Sequence, residues 1–360
     1  MIWYVLGLLA LTLIINYLVL FFGYTDLTYS FGIENKDYEI GQEIEVSSVV
    51  ENNKMLSVSF LKVEEHFPPH FSVPKNIYSM FIMPFQRVRR KYKVSVNKRG
   101  CHRIELANLE LGDFVGFRSE QRKMPISQKV VVLPKKVELS ESIVPLGALG
   151  GDLSVRRWII DDPLITIGIR EYTGNEPQRF IHWPSSAKFG SLMVKKFDFT
   201  TDNSVLVIIN VETMKPCWKA IEEELIDEAV SLARATLEEF ESLSIPYGLV
   251  TNAYNEEADA KGFIHHTGLG AAHLGTLLHA LGCIQFRNPG FFENTLRDVR
   301  RMRGNYTTAV IITPRILETY IEPLQLLAKA VPRTVVIAVE DENLEGLNSS
   351  IIKYRSKKNA

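Results

Sequence analysis

With 360 residues, 46% of them hydrophobic and 10% aromatic, the chain is long enough to bury cores in about two to three domains. Its formal charge of −1 supplies no overall field for nucleic acid, so that class of partner is set aside. The three cysteines, Cys101, Cys217 and Cys283, are odd in number, widely spaced and without a CxxC pair, which argues against a disulfide framework and fits a reducing compartment.

Residues 1–24 read as a transmembrane anchor. From Ile2 to Phe22 the run is apolar apart from Thr12, Asn16 and a few small or aromatic residues. About 21 residues at roughly 1.5 Å each span about 30 Å, the thickness of a bilayer's hydrocarbon core. Trp3, Tyr4 and Tyr24 mark the ends, where amphipathic rings prefer the interface. A cleaved signal peptide needs a basic start, a shorter apolar run and a small-residue cleavage site, and the sequence has none of these. No Lys or Arg precedes the run, whereas Lys36, Lys54 and Lys62 follow it. The expectation is therefore a single-pass protein of the cell membrane, touching lipid through this helix, with its soluble domains on the cytoplasmic side.

Residues 25–138 alternate with period two and predict an all-β sandwich of immunoglobulin-like type. Ile44, Val46, Val49 and Val50 mark one strand, and Leu56, Val58, Phe60, Leu61 and Val63 the next. Ile77–Met83, Val88–Val96, Cys101–Leu109 and Lys129–Leu133 follow, with turns at Asn52-Asn53-Lys54, Lys98-Arg99-Gly100 and Gly112-Asp113. Arg87, Arg89, Lys91 and Lys93 fall on one face of a single strand. They read either as a solvated face or as a lipid-facing patch for anionic headgroups.

Residues 201–345 change to alternating strands and helices, which predicts a doubly wound parallel sheet. Ser204–Asn210, Tyr247–Thr251, Tyr306–Thr313 and Thr334–Val339 are apolar runs suited to strands buried on both faces. Trp218, Ile221, Leu225, Ala229, Leu232, Ala233, Thr236 and Phe240 recur at helical spacing, with Glu222, Glu223, Asp227, Glu238 and Glu241 opposite. Further helices are expected at Ala271–Leu281, Phe291–Met302 and Ile316–Ala330, and residues 346–360 read as a basic tail. In such a fold ligands gather at the carboxyl ends of the strands, here the loops after Asn210, Thr251 and Thr313.

Between the two regions, residues 139–200 carry Arg170-Glu-Tyr-Thr-Gly-Asn-Glu-Pro-Gln-Arg-Phe-Ile-His-Trp-Pro-Ser-Ser-Ala-Lys188, then Val194-Lys-Lys-Phe197. This stretch resembles the signature of the domain-of-unknown-function 58 family: Arg-Glu-Tyr, a Gly-Asp turn, an Arg, Ile-His-Trp or Ile-Asn-Trp, Ser-Ala-Arg or Thr-Ala-Lys, and Val-Lys-x-Phe. Two departures are visible. Many members have two adjacent transmembrane helices where this chain has one candidate, and Gly174-Asn175 replaces Gly-Asp. The resemblance implies an α/β domain similar to the von Willebrand factor A fold and a MoxR-type AAA+ ATPase as protein partner.

The same resemblance implies a place to look for a metal-ion-dependent adhesion site, an Asp-x-Ser-x-Ser motif after the first strand completed by a later Thr and Asp. Here those positions read Asn210, Glu212 and Met214, and the later strand ends at Thr313. Charge and a hard ligand are lost, so the site reads as degenerate and no metal or other cofactor is expected. His265, His266, His273 and His279, with Cys283 nearby, are spaced by seven and six residues, which does not place them on one helix face. Gly268-Leu-Gly is a lone glycine loop without the context of a dinucleotide site. Cys217, Cys283 and Ser186 have no base oriented for them in the sequence, so no catalytic residue is assigned and an enzyme is not expected.

The signature's polar and aromatic residues, Arg170, Glu171, Tyr172, Arg179, His182, Trp183, Ser186, Lys188 and Lys195, read as a latch between the domains or a docking groove, with Trp183 a buried aromatic. The leading functional expectation is a membrane-anchored, non-catalytic adaptor for the ATPase. A cation-dependent ligand-binding module and a hydrolase centred on the signature are the alternatives.

Overall fold

The computed structural model describes residues 2–113, 118–137, 166–172, 181–197, 204–216, 221–255, 260–286, 290–340 and 343–355. Helix α1 (Ile2–Phe21) is followed by nine strands. These are β1 (Leu27–Ile33), β2 (Asp37–Tyr38), β3 (Glu43–Asn52), β4 (Val58–His66), β5 (Phe71–Ser72), β6 (Ile77–Ile82), β7 (Arg87–Val96), β8 (Gly100–Gly112) and β9 (Ser119–Val132). They form a four-stranded sheet in the order β1-β3-β7-β5 and a five-stranded sheet in the order β2-β9-β8-β4-β6. The sheets face each other over one apolar core. Because side chains alternate, Ile44, Val46 and Val50 of β3 and Val94 and Val96 of β7 point inward. Leu61 and Val63 of β4 and Leu109 and Leu111 of β8 meet them from the other sheet.

The expected transmembrane anchor is overturned. Among the described residues no helix is long and apolar enough to cross a membrane. The reason lies at the carboxyl-terminal part of α1, which belongs to the folded body. Asn16 is buried and donates a 2.9 Å hydrogen bond to Asp113 at the end of the sandwich. Tyr24 is buried, its hydroxyl donating to the carbonyls of Leu109 and Glu120. Lys54 donates to the carbonyls of Gly23 and Thr25 at the helix's end. The turns before Asn16 reach only about 21 Å, short of the roughly 30 Å of a hydrocarbon core. The expected fold class, opened by a transmembrane helix, is corrected accordingly. The single-pass cell-membrane location with cytoplasmic domains and the lipid contact through this helix are withdrawn with it. The chain is β-rich, with eighteen strands and six α-helices among the described residues.

Next come β10 (Thr166–Glu171), α2 (Trp183–Phe189) and β11 (Met193–Phe197), the two strands pairing antiparallel as a sheet of their own. The remainder is β12 (Val205–Ile209), α3 (Glu223–Ser242), β13 (Tyr247–Asn255), β14 (Ala260–Gly268), α4 (Ala271–Gly282), β15 (Ile284–Gln285), α5 (Phe292–Arg301), β16 (Thr308–Thr313), α6 (Glu318–Ala330), β17 (Arg333–Ala338) and β18 (Ile351–Arg355). The sheet runs β14-β13-β12-β16-β17-β18. Every pair from β13 to β18 along it is parallel, and β14 closes one edge antiparallel.

Every residue of β12 is buried because alternate side chains serve two cores. Val207 and Ile209 meet Ile226, Leu237 and Phe240 of α3 and Leu277 and Leu281 of α4. Leu206 and Ile208 meet Phe292 and Leu296 of α5 and Tyr320 and Leu324 of α6. Each such side chain contributes about 1.5–3 kcal/mol by leaving water. Two elements differ from the reading of the residues. Strand β14 occupies a polar stretch carrying His265 and His266, and part of the expected basic tail is edge strand β18, whose Ile351 is buried.

Candidate functional site

The carboxyl edge of the parallel sheet closes on itself. Asn210 donates through Nδ2 to Thr313 Oγ1 at 3.0 Å, and its Oδ1 accepts from the Glu212 amide and from Asn252 Nδ2, both at 2.9 Å. Asn252 Oδ1 accepts from the Val211 amide, and its Nδ2 also donates to the Gly290 carbonyl. Glu212 is 1% exposed. Its Oε2 accepts from the Tyr320 hydroxyl at 2.7 Å and the Phe292 amide at 3.0 Å, while Oε1 is buried without a hydrogen-bond partner. Burial first, then the neighbouring carboxylate, pushes the Tyr320 hydroxyl far above its ordinary range. Beside it, Lys215 pairs with Glu293; burial pushes the Glu293 carboxyl up, but its hydrogen bonds from Lys215, a backbone amide and Thr319, with the Lys215 charge, together leave it below its usual value.

This donor set does not fit a divalent cation. Asn210 presents its amide nitrogen towards Thr313, and its oxygen already takes two donors. The Thr313 hydroxyl is engaged with Asn210 and with the Arg315 carbonyl. Glu212 Oε1 is one unshared oxygen where a hard cation wants about six. Asn210, Thr251 and Thr313 are buried, so these strand ends cannot themselves be a contact surface.

The signature forms a hairpin around one short helix. His182 caps α2, its Nδ1 lying 2.7 Å from Ser185 Oγ. Ser186 Oγ accepts from the Met193 amide at 2.8 Å and donates to the His182 carbonyl at 3.1 Å, so this hydroxyl ties α2 to β11. Trp183 is 64% exposed, contrary to the buried position expected of it. Glu171 and Lys188 are exposed and Tyr172 half-buried. Arg170 and Lys195 lie on the paired strands β10 and β11, two residues whose backbone alone is described. Arg179 and the Gly174-Asn175 turn lie outside the described residues, as does Cys217.

A different set of residues joins sandwich to α/β domain, and the sequence pattern did not single it out. Arg99, on the turn between β7 and β8, is buried. It pairs through Nε with Asp227 of α3 and donates through Nη1 to the carbonyls of Leu281 and Ile284. Burial pushes the Asp227 carboxyl up and the Arg99 guanidinium down, despite their mutual attraction. Arg234 of α3 reaches back with both Nη atoms, at 2.6 Å, to the Glu39 carboxylate, and to the Pro134 carbonyl. His279 of α4 lies 2.8 Å from Asp37. Gly282 sits so close to β9 that a Cβ there would stand 2.9 Å from Val131 Cγ1 and 3.2 Å from the Val132 carbonyl. The available signal was a turn arginine and a helix arginine on an otherwise acidic or apolar face.

The other candidates are dispersed. His265 and His266 stand on β14, whereas His273 donates through Nε2 to the Tyr247 carbonyl and His279 faces Asp37. No group of three His, Cys, Asp or Glu close enough to hold a metal occurs among the described residues. A strand does precede Gly268, contrary to the reading of that loop, but it is the antiparallel edge β14. Cys283 is buried at the end of α4 and Cys101 lies half-buried on β8.

On β7, Arg87, Arg89, Lys91 and Lys93 all point outward and are exposed, whereas Arg90 faces in over the rings of Tyr78 and Tyr92. Lys91 and Lys93 form 2.5 Å ion pairs with Glu45 and Glu43 across the strand pair. Arg87 and Arg89 make no ion pair among the described residues. They border an open groove of about 560 Å³ whose other walls come from β1 and β3.

Comparison with known proteins adds little. No protein family's sequence pattern matches the chain, and no curated protein matches it. Among solved structures, a CARDB domain of the PF1109 protein from Pyrococcus furiosus, in complex with di-metal ions, is 15% identical, with a TM-score of 0.22 over 30% of this chain and 94% of that one. A β-glucosidase from Listeria innocua is 10% identical, with a TM-score of 0.18 over 30% of this chain and 16% of the enzyme. Similarity at that level carries no functional argument.

Proposed function

We propose that the protein is a non-catalytic scaffold that binds a protein partner, an AAA+ ATPase of the MoxR type. The observation that carries this reading is the junction built by Arg99 and Arg234, which holds the sandwich and the α/β domain in one fixed relation through charge-assisted hydrogen bonds. A scaffold needs that property, because two surfaces can engage one partner together only when their relative placement is set in advance. The partner's class rests on the resemblance of the Arg170–Lys188 stretch to the domain-of-unknown-function 58 signature. The test is capture of a purified MoxR-type ATPase from the same genome on the immobilised chain. Retention of the ATPase, weakened by Arg234→Ala, is the expected result. An ATPase that washes through the wild-type column sinks the reading.

A further inference from the structure

The groove on the outer face of β1, β3 and β7 is built unevenly. Four cations stand at alternate positions of β7, yet the two downstream ones are neutralised by Glu45 and Glu43. Arg89 lies opposite Val49 in the ladder, and Arg87 opposite Glu51, which makes no ion pair with it. The groove opens beside those two arginines because its floor is made of small residues, Ser30, Gly32 and Ser47, and the two carboxylates that also line it, Glu34 and Glu45, are paired with Lys36 and Lys91. A Cβ added at Gly32 would meet nothing nearer than the Ser47 carbonyl at 4.0 Å, so the space is open and not demanded by packing.

We propose that this groove docks an extended acidic segment of a protein partner, with carboxylates at every second position taken by Arg87 and Arg89. Spacing is the reason for an extended occupant. Two guanidiniums at i and i+2 of a strand start about 7 Å apart, the same interval as the side chains on one face of an extended peptide. A guanidinium also matches a carboxylate with two parallel hydrogen bonds, which an ammonium cannot do. The floor's hydroxyls at Ser30 and Ser47 supply further polar partners, and about 560 Å³ is ample for several side chains. The inference names the contact surface of the proposed scaffold and rests on that reading for its biological partner, though not for its chemistry.

The probe is a short fluorescein-labelled peptide with glutamate at alternate positions, titrated with the full chain and followed by fluorescence anisotropy. The wild type binds, and binding weakens as salt is raised. The double variant Arg87→Gln/Arg89→Gln and the groove-filling Gly32→Val each weaken it by about tenfold or more. Lys91→Gln/Lys93→Gln changes it less than about twofold, because those ammoniums are already paired. Unchanged melting temperatures in all three variants show that folding is intact. Absence of peptide binding, an equal loss in the lysine variant, or arginine-dependent binding of phosphatidylglycerol vesicles without peptide binding each overturns the proposal. Peptide binding by a wild type that captures no ATPase removes the ATPase reading and leaves the groove standing. ATPase capture undiminished in the arginine variant shows that the groove is not the ATPase's site.

Discussion

Glu212 stands where an exposed contact was expected and is instead enclosed by Tyr320, Phe292 and the Asn210 network. Glu212→Lys places an unpaired cation there, next to an orphaned hydroxyl. A loss of about 3–5 kcal/mol follows, read as a large fall in melting temperature, whereas a surface position would show little change. Trp183→Ala has the opposite expectation: an exposed ring loses little packing, so the melt should move by no more than about 0.5 kcal/mol equivalent.

Within the sandwich, the fully buried Glu65 accepts from Tyr29 at 2.9 Å, Tyr78 at 3.1 Å and Tyr92. Burial, then the Glu65 carboxylate, holds the Tyr29 and Tyr78 hydroxyls far above their ordinary range, and burial alone leads in pushing Tyr24 up to about 12 from 10.0. A raised pKa in the folded state contributes stability that is intact below pH 10 and is lost as pH climbs towards 12. Phenolate absorbance of these tyrosines should therefore appear together with loss of the far-ultraviolet circular dichroism signal on alkaline titration. Ionisation of all tyrosines well before unfolding contradicts the cluster.

At the scale of elements, the edge strand β14 shows why polar strands escape notice. It lies against β13 at Gly248, where a Cβ would come within 2.7 Å of the His265 carbonyl and 3.1 Å of the following backbone. Gly262, with φ +72, accompanies the register shift in the same ladder. Gly248→Ala must push β14 away, at a cost of about 1–3 kcal/mol. Hydrogen exchange should show faster exchange across Ala260–Gly268 in that variant, with β12 and β16 unchanged. The buried strands β12, β13, β16 and β17 were legible as apolar runs because both their faces are covered. Strand β14 was not, since its identity rests on a neighbour's missing side chain.

At the scale of the whole molecule, the junction predicts one cooperative unfolding transition for sandwich and α/β domain, seen by calorimetry. Asp227→Ala leaves the buried Arg99 charged and unmatched at that interface. A loss of roughly 3 kcal/mol is expected, with the transition broadening or splitting in two. An unchanged single transition would show that the domains are held by something else.

Periodicity in the sequence by itself determined the period-two sandwich strands, the twofold-buried strands and the helices with one acidic face, since these follow from local burial. Tertiary structure alone decided the rest, because each depends on what lies across a gap in the chain. Asn16 meets Asp113, so an apolar run became a helix docked by its end. Glu212 meets Tyr320, so a strand-end carboxylate became core. Glu43 and Glu45 neutralise two cations of β7 and not the other two, an asymmetry that no single strand can encode.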